Sequence, residues 1–470
     1  NKYFYYLRSN RLESHRLGQY WAQRILQTRR PFEEKIALFW HGHFATSDDK
    51  VRDYRKMAGQ IQLFREYGTG NFRDLVLAVA QDPAMLVFLD AGQNIKGRPN
   101  ENFAREILEL FTMGIGNYTE KDIREAARAF TGWTNDSLKF VVNAELHDED
   151  VKTFLGQTGN FDGTEIVDIV MSHDSTARFI TEKLYRYFVS ADVPSQRIKH
   201  LAALLKASDY ELKPLLKEMF IARDFYASHA FSSQIKSPVQ LVLSTYRKLG
   251  VTTLPGVPDF NEATAALGQK LLYPPNVAGW EGGRSWITPA TLVERGNFAK
   301  QVLFPDIGEY LSPDRALTQI YRDVGEKLDR GLDITNATVA GSVDGNNMST
   351  MSSSDMMVAI SDEEYNTRYG AYHGTIMAMR RVKPVPRVPA LVNLASMVQD
   401  QNLVTVPAVV DYFQKRLLRV PLVKDHRNAL IAFLSRELGT EDIATALSYL
   451  EEPLRMLVHL IMSAPEYQLS

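Results

Sequence analysis

One stretch of this chain restricts its fold more than any other: residues 99–134 read PNENFAREILELFTMGIGNYTEKDIREAARAFTGWT. Apolar residues recur there at three- and four-residue spacing, which is the period of a helix with one buried face. Asn100 is suited to cap a first helix, and Gly114 and Gly116 to end it, because glycine adopts a left-handed conformation at little cost. A second helix follows from Thr119. The sequence therefore predicts an antiparallel helix pair with a tight glycine turn.

Two carboxylates lie one turn apart on the first of these helices. Glu106 borders the apolar stripe, and Glu109 follows three residues later. Loss of water raises the pKa of such a carboxyl group, so a catalytic interpretation makes the pair a general acid and base, or ligands of a metal ion. In the structural alternative, Arg105 or a neighbouring arginine forms ion pairs with them and ties helices together. Both interpretations fit the sequence.

Two histidines end the helix that Pro31 is expected to start, within the motif FWHGHFATS at residues 39–47. On a continuous helix, residues two apart point about 200° apart, so His41 and His43 bind one metal ion only if Gly42 breaks the helix. His43 also continues an apolar stripe. A hydrogen-bonded core histidine is therefore the alternative to a metal ligand or catalytic base.

The helical pattern is interrupted by a predicted β-hairpin near residues 139–155. Its two short strands are expected at 139–143 and 152–155, on either side of a polar loop. That loop places His147 beside Asp148, which would orient a catalytic imidazole. A solvated turn with no function is the alternative for this pair.

A bent, glycine- and proline-rich segment, LYPPNVAGWEGGRSW, occupies residues 272–286. Trp280 and Trp286 would provide a stacking platform for a sugar ring or another flat apolar group, with Arg105 as a further substrate-binding candidate. Packing of the loop onto the core is the alternative for both tryptophans.

Composition narrows the classes of function. The chain has 470 residues and a formal net charge of -2, so no global basic field favours nucleic acid. Cysteine is absent, which leaves His, Asp and Glu as ligands for any divalent metal. No apolar run has the length of a membrane span, and no phosphate-binding glycine loop, nucleophile elbow, HExxH helix or dinucleotide fingerprint is present.

These patterns predict a predominantly α, large multi-helical domain. We expect a main helical domain at residues 1–304, a connecting region at 305–385, and a C-terminal helical subregion at 386–470 that packs on the main domain. Residues 340–362, rich in Met, Ser and Asp, lack periodicity and are expected to form a long loop.

Several sequence blocks, in order along nearly the whole chain, resemble the bacterial family catalogued as domain of unknown function 1800. They are FWHGHFATS at 39–47, GNFRDLVLAVAQDPAMLVFLD at 70–90, the 99–134 stretch, HD and KTFLG between 147 and 156, PPNVAGW at 274–280 and SAPEYQ at 463–468. The resemblance implies a mostly helical, exported bacterial protein, periplasmic or extracellular. It also implies that an N-terminal part is missing or cleaved, and it supplies no catalytic residues.

Two hypotheses of function follow. In the first, the protein is a hydrolase or lyase that acts on a polymeric or carbohydrate-like substrate, with Glu106, Glu109 and His147 in catalysis, Trp280 as a binding wall, and a divalent metal at His41 and His43. In the second, it is a non-catalytic subunit or scaffold of a secreted or cell-envelope assembly. Its partners would be another protein, a second copy of the chain or a polysaccharide.

Overall fold

The computed structural model describes residues 2–227, 230–305, 373–383 and 385–470, and these are predominantly α-helical, as predicted. They divide into a smaller unit, Asn1–Arg16 with Asp306–Pro386, and a larger unit, Leu17–Pro305 with Arg387–Ser470. The predicted loop at 340–362 lies outside the described residues, and the three-part domain division stays a prediction. No helix in the described ranges is both long enough and apolar enough to cross a bilayer.

Twenty labelled helices lie in the described residues. In chain order they are α1 Lys2–Gln27, α2 Pro31–His43, α3 Asp48–Val51, α4 Tyr54–Tyr67, α5 Phe72–Ala80, α6 Pro83–Phe88, α7 Glu101–Glu106, α8 Glu120–Ala129, α9 Gly163–Ser172, α10 Asp174–Phe188, α11 Ser195–Ala207, α12 Leu212–Ile221, α13 Pro238–Lys248, α14 Phe260–Ala266, α15 Pro289–Leu303, α16 Leu394–Asp400, α17 Val406–Leu417, α18 Lys424–Leu438, α19 Ile443–Ala446 and α20 Glu451–Ser463.

Two separate antiparallel hairpins contain the β-structure of the described residues. Strands β1 (Trp133–Asp136) and β2 (Lys139–Val142) form the first, and β3 (Lys152–Phe154) and β4 (Gln157–Gly159) form the second. The strands predicted at 139–143 and 152–155 are present, but they pair with these nearer partners and not with each other. A two-residue turn costs less chain entropy than closure of the longer loop between them.

The helix pair predicted at residues 99–134 is present, with one difference. Asn100 accepts a hydrogen bond from the Asn102 amide at the start of α7, and Thr119 forms a capping box with Asp122 at the start of α8. Between them the chain widens into a π-helix at Ile107–Thr112. Such wider turns are uncommon and are often found at functional sites.

The core of the larger unit includes the completely buried rings of Trp21, Trp40 and Tyr185. The charged side chain of Glu34 is equally buried in it. The carboxylate of Glu34 has no exposed surface and accepts several hydrogen bonds. Arg65 donates Nε and Nη2 to it at 3.0–3.2 Å, the Trp21 indole donates at 2.9 Å, and the Arg24 guanidinium donates as well. This network joins α1, α2 and α4.

Candidate functional site

Three of the sequence blocks meet where α2 ends. His41 is completely buried, and its Nε2 accepts a hydrogen bond of 3.1 Å from the Leu272 amide. Its ring lies edge-on to Trp21 and to Trp280, each with centroids 5.4 Å away. Because Nε2 is the acceptor, Nδ1 carries the proton, and Nδ1 has no hydrogen-bond partner among the described residues. Burial lowers the pKa of His41 to about 3.

The loop that covers His41 has a constrained backbone. Leu272 has a φ of 70°, a left-handed value that is uncommon outside glycine. Its amide is bound by His41, and its carbonyl accepts a hydrogen bond of 2.9 Å from the Asp48 amide. Further along, a Cβ on Gly279 would lie 2.1 Å from the carbonyl oxygen of Gly42, so only glycine permits this approach. The loop is therefore fixed to the end of α2, with Trp280 partly buried over His41.

His43, at the end of α2, binds the C-terminal part of the π-helix. Its Nε2 donates to the carbonyl of Phe111 at 2.9 Å, and its Nδ1 lies 3.4 Å from the Lys183 amine, which also donates to Leu110 at 3.3 Å. Burial, and then the charge of Lys183, lowers the pKa of His43 well below its usual value. Burial lowers the pKa of Lys183 to about 8. Both side chains thus satisfy carbonyls at a helix end, where a cation is favoured.

The two histidines therefore have separate partners. Helix α2 continues through Gly42 to His43, so the break that would let both rings approach one ion is absent. In the described part of the chain, no set of three His, Asp or Glu side chains that includes His41 or His43 brings its ligand atoms within 4.8 Å of one another.

Glu106 and Glu109 have different environments although they are neighbours. Glu106 is half-buried at the end of α7, and burial, with the charge of Glu109, raises its pKa while Arg105 opposes the shift. Glu109 accepts a hydrogen bond of 2.6 Å from the hydroxyl of Tyr118, whose pKa is raised by burial and by this bond. Burial thus favours the protonated form of Glu106, whereas the Glu109 carboxyl group is held by a tyrosine hydroxyl.

Arg105, the third candidate on this face, is bound elsewhere. Its guanidinium donates to Glu120 on α8 at 2.8 and 3.0 Å and to Glu101 at 3.2 Å. The hydrogen bond to Glu120 raises its pKa further above its ordinary value. Arg105 thus links α7 to α8 through exposed acidic groups that the sequence did not assign to it.

His147 and Trp286 also have contacts of their own. The Nδ1 of His147 donates to the Thr131 carbonyl at 2.8 Å, whereas the neighbouring Asp148 carboxylate binds Arg128 at 2.8 Å. The expected His147–Asp148 orientation is therefore not the one adopted. Trp286 is 7% exposed and packs on Gly268.

The structure thus brings His41 to Trp280 and Glu106 to Glu109, and it leaves His147, Trp286 and Arg105 in other contacts. Lys183 and Tyr118, which hold His43 and Glu109, were missed in the sequence. A signal for Lys183 exists, since it directly precedes the buried Leu184 and follows Phe179 by one turn. Tyr118 sits in the glycine turn, where periodicity gives no information.

Comparisons with known proteins agree with the sequence blocks. A family model described as "Protein of unknown function (DUF1800)" matches residues 6–469. No curated protein and no solved structure matches the chain.

Proposed function

Since the chain belongs to the DUF1800 family, whose description assigns no activity, we propose from the geometry that it is a non-catalytic binding subunit of a secreted or cell-envelope assembly. The observation that carries this proposal is the free outer edge of strand β2, an exposed apolar edge on which a partner protein would add a strand. Export to the periplasm or the exterior is part of the proposal and rests on the family resemblance.

The polar candidates support a structural role. His41 and His43 are completely or almost completely buried and hydrogen-bonded to backbone groups, and His147 is bound to a carbonyl. Arg105 forms ion pairs with two other acidic residues. Groups with such partners stabilise the fold, and reaction with a substrate would require their bonds to break.

Apolar side chains on the first hairpin are exposed instead of buried. Leu138, Val141 and Val142 are 46%, 39% and 46% exposed, and Leu146 and Val151 follow at 37% and 62%. Single exposed apolar residues are normal, but Val141 and Val142 on β2, next to Leu138 in the turn, lie together at a strand with one unpaired edge, which favours contact with another chain.

The direction of the backbone groups indicates how a partner would bind. Asn143 donates its amide to Gly132 on the β1 side at 2.8 Å. Because backbone groups alternate in direction along a strand, Phe140 and Val142 present theirs to the opposite side. No backbone hydrogen bond joins these two residues to another described element. An extended segment of a partner protein would complete this edge by β-strand addition.

The experiment places a photo-crosslinking amino acid at position 142 in the producing cells, with position 292 as the matched control because Leu292 is also about half exposed. We expect one discrete adduct at position 142 and none at 292. Val142→Pro is tested with the crosslinker moved to position 138, beside the same edge. The proline removes an amide that points away from β1 and leaves the hydrogen bonds between β1 and β2 intact, so it should abolish the adduct at position 138 without unfolding the protein. Equal adducts at both positions, or an adduct that survives Val142→Pro, would contradict the proposal.

A second candidate function rests on Glu106 and Glu109. The raised pKa of Glu106, next to the Glu109 carboxyl group that Tyr118 holds, suits a general acid in a hydrolase or lyase acting on a carbohydrate-like polymer, with partly buried Trp280 as a candidate wall. His147, His41 and Arg105, the other polar candidates, are bound to groups elsewhere and do not converge on this pair, which is why this function ranks second.

Its test compares Glu106→Gln with the control Glu120→Gln, which changes an exposed carboxylate on the adjacent helix. If the purified protein depolymerises any of a panel of polysaccharides, Glu106→Gln should lower kcat by roughly 100-fold or more and Glu120→Gln should not. Wild-type activity should also fall as the pH rises through the pKa of Glu106, because the acid form is then lost. Absence of wild-type turnover, or equal rates for both variants, would exclude this function.

A further inference from the structure

A groove lies between helix α10 and the start of helix α11 in the larger unit, and we call it the α10–α11 groove. Its volume is about 360 Å³, within the range of about 300–1,000 Å³ that small-molecule sites occupy. A space of this volume is about 9 Å across if it is compact, so groups on opposite walls can contact one small ligand. The polar and buried residues that line it include Arg178, Glu182, Arg186, Asp192, Ser195 and Ile198.

One wall of the groove is a row of charged side chains on α10. Arg178, Glu182 and Arg186 follow one another at four-residue spacing, so they lie on one face of the helix. The Arg186 guanidinium donates to the Glu182 carboxylate at 2.9 Å, and the two charges neutralise each other. It also donates to the carbonyl of Ala191 at 2.9 Å, and this bond ties the helix to the opposite wall.

The charges of Arg178 and Asp192 remain unpaired within the described ranges. The exposed Arg178 guanidinium on α10 donates no hydrogen bond to a described residue. The exposed Asp192 carboxylate, on the loop that precedes α11, accepts none, and the hydroxyl of Ser195 has no described partner either. Unpaired surface charges are usually solvated, but these groups line one concave space. The groove therefore offers a positive group, a negative group and a hydroxyl to the same ligand.

The floor of the groove is apolar and is part of the core. Ile198, in the first turn of α11, is 3% exposed and packs in the main core of the larger unit. Val193, which also lines the groove, is partly buried against the same core. Burial of these side chains holds the loop and the helix start in place, so the groove is formed without a ligand. It also provides an apolar surface between the charged walls.

The charge pattern of the groove selects among ligands. A simple anion would be attracted by Arg178 but repelled by Asp192, and a simple cation would meet the reverse. A ligand that has both charges close together satisfies both groups. An α-amino acid has this pattern, because its carboxylate matches a guanidinium fork and its ammonium group has three donors for a carboxylate and a hydroxyl. The groove is therefore complementary to a zwitterion.

We propose that the α10–α11 groove binds a free α-amino acid. Arg178 binds the carboxylate of the ligand, and Asp192 and Ser195 accept hydrogen bonds from its ammonium group. The side chain of the ligand lies on the apolar floor that Val193 and Ile198 form. This site lies on different elements from the free edge of β2, and it does not depend on the proposed function.

The test measures the melting temperature of the protein with each of the twenty standard amino acids at 10 mM, since a ligand of the folded state raises it. Titration calorimetry then gives the affinity of the amino acid with the largest effect. Its amide lacks the carboxylate and its N-acetyl derivative lacks the ammonium group, so each should bind at least about tenfold more weakly. The derivatives also represent the two ends of a peptide. If no amino acid raises the melting temperature, or if either derivative binds as tightly as the free amino acid, the proposal is overturned.

Variants of the exposed charges locate the ligand in the groove. Arg178→Ala and Asp192→Asn should each weaken binding of the amino acid at least about tenfold. Arg124→Ala changes an exposed arginine on α8, outside the groove, and should bind as wild type. Arg178→Ala should also lose the preference for the amino acid over its amide, whereas Asp192→Asn should lose the preference over the N-acetyl derivative. Wild-type affinity in either groove variant, or an equal loss in Arg124→Ala, would show that the ligand binds elsewhere and would overturn the proposal.

Discussion

Replacing Glu34 by alanine should lower the free energy of unfolding by about 3–5 kcal/mol, because it leaves a buried cation without its counter-charge. The Arg65 side chain is only 7% exposed, and its fork is directed at the Glu34 carboxylate. The Trp21 indole would lose its acceptor in the same step. Urea denaturation followed by circular dichroism measures the change.

Two control variants make the result specific. Asp411→Ala breaks an arginine–carboxylate pair of similar geometry, with Arg427 at 2.6 and 2.7 Å, but on the surface, so it should cost less than about 1 kcal/mol. Glu34→Gln retains the shape and an acceptor oxygen, and should cost less than Glu34→Ala. Equal losses for Glu34→Ala and Asp411→Ala would show that the buried network contributes no more than a surface pair.

Local chemistry explains which parts of the fold the sequence predicts. Asn100 and Thr119 act over a few residues, and the helix starts they predict are the ones observed. The π-helix at Ile107–Thr112 is not predicted, because its wider turn depends on hydrogen-bond donors from distant parts of the sequence. His43 and Lys183, 68 and 73 residues away from the carbonyls they bind, supply those donors.

The same division applies to the candidate site. The stripe of α2 suggested a core histidine at His43, and its burial agrees with that alternative. The role of His41 depends instead on the Leu272 amide, 231 residues away, and on the covering Trp280. Residue spacing within the FWHGHFATS motif gives no information about a contact with a residue so distant in the sequence. The sequence alone therefore could not decide between a metal ligand and a buried, hydrogen-bonded histidine at position 41.

Burial of His41 should make the protein sensitive to acid. Its pKa is near 6.5 in the unfolded chain and about 3 in the folded protein, so below pH 6.5 the unfolded state binds a proton that the folded state excludes. The stabilisation is complete above pH 6.5 and is lost progressively as the pH falls towards 3. At pH 4.5 the loss due to this residue should be about 2–3 kcal/mol.

His41→Gln isolates this effect, because glutamine supplies an acceptor for the Leu272 amide but does not titrate. Burial of His43 acts in the same direction, yet it is common to both proteins and cancels in the difference. Urea unfolding from pH 8 to pH 4.5 should therefore show a steeper loss of stability for wild type than for His41→Gln. His41→Leu, which leaves the Leu272 amide buried without an acceptor, should instead cost about 1–3 kcal/mol at every pH. Parallel pH profiles for wild type and His41→Gln would show that His41 becomes protonated within the folded protein, and that Trp280 does not seal its pocket.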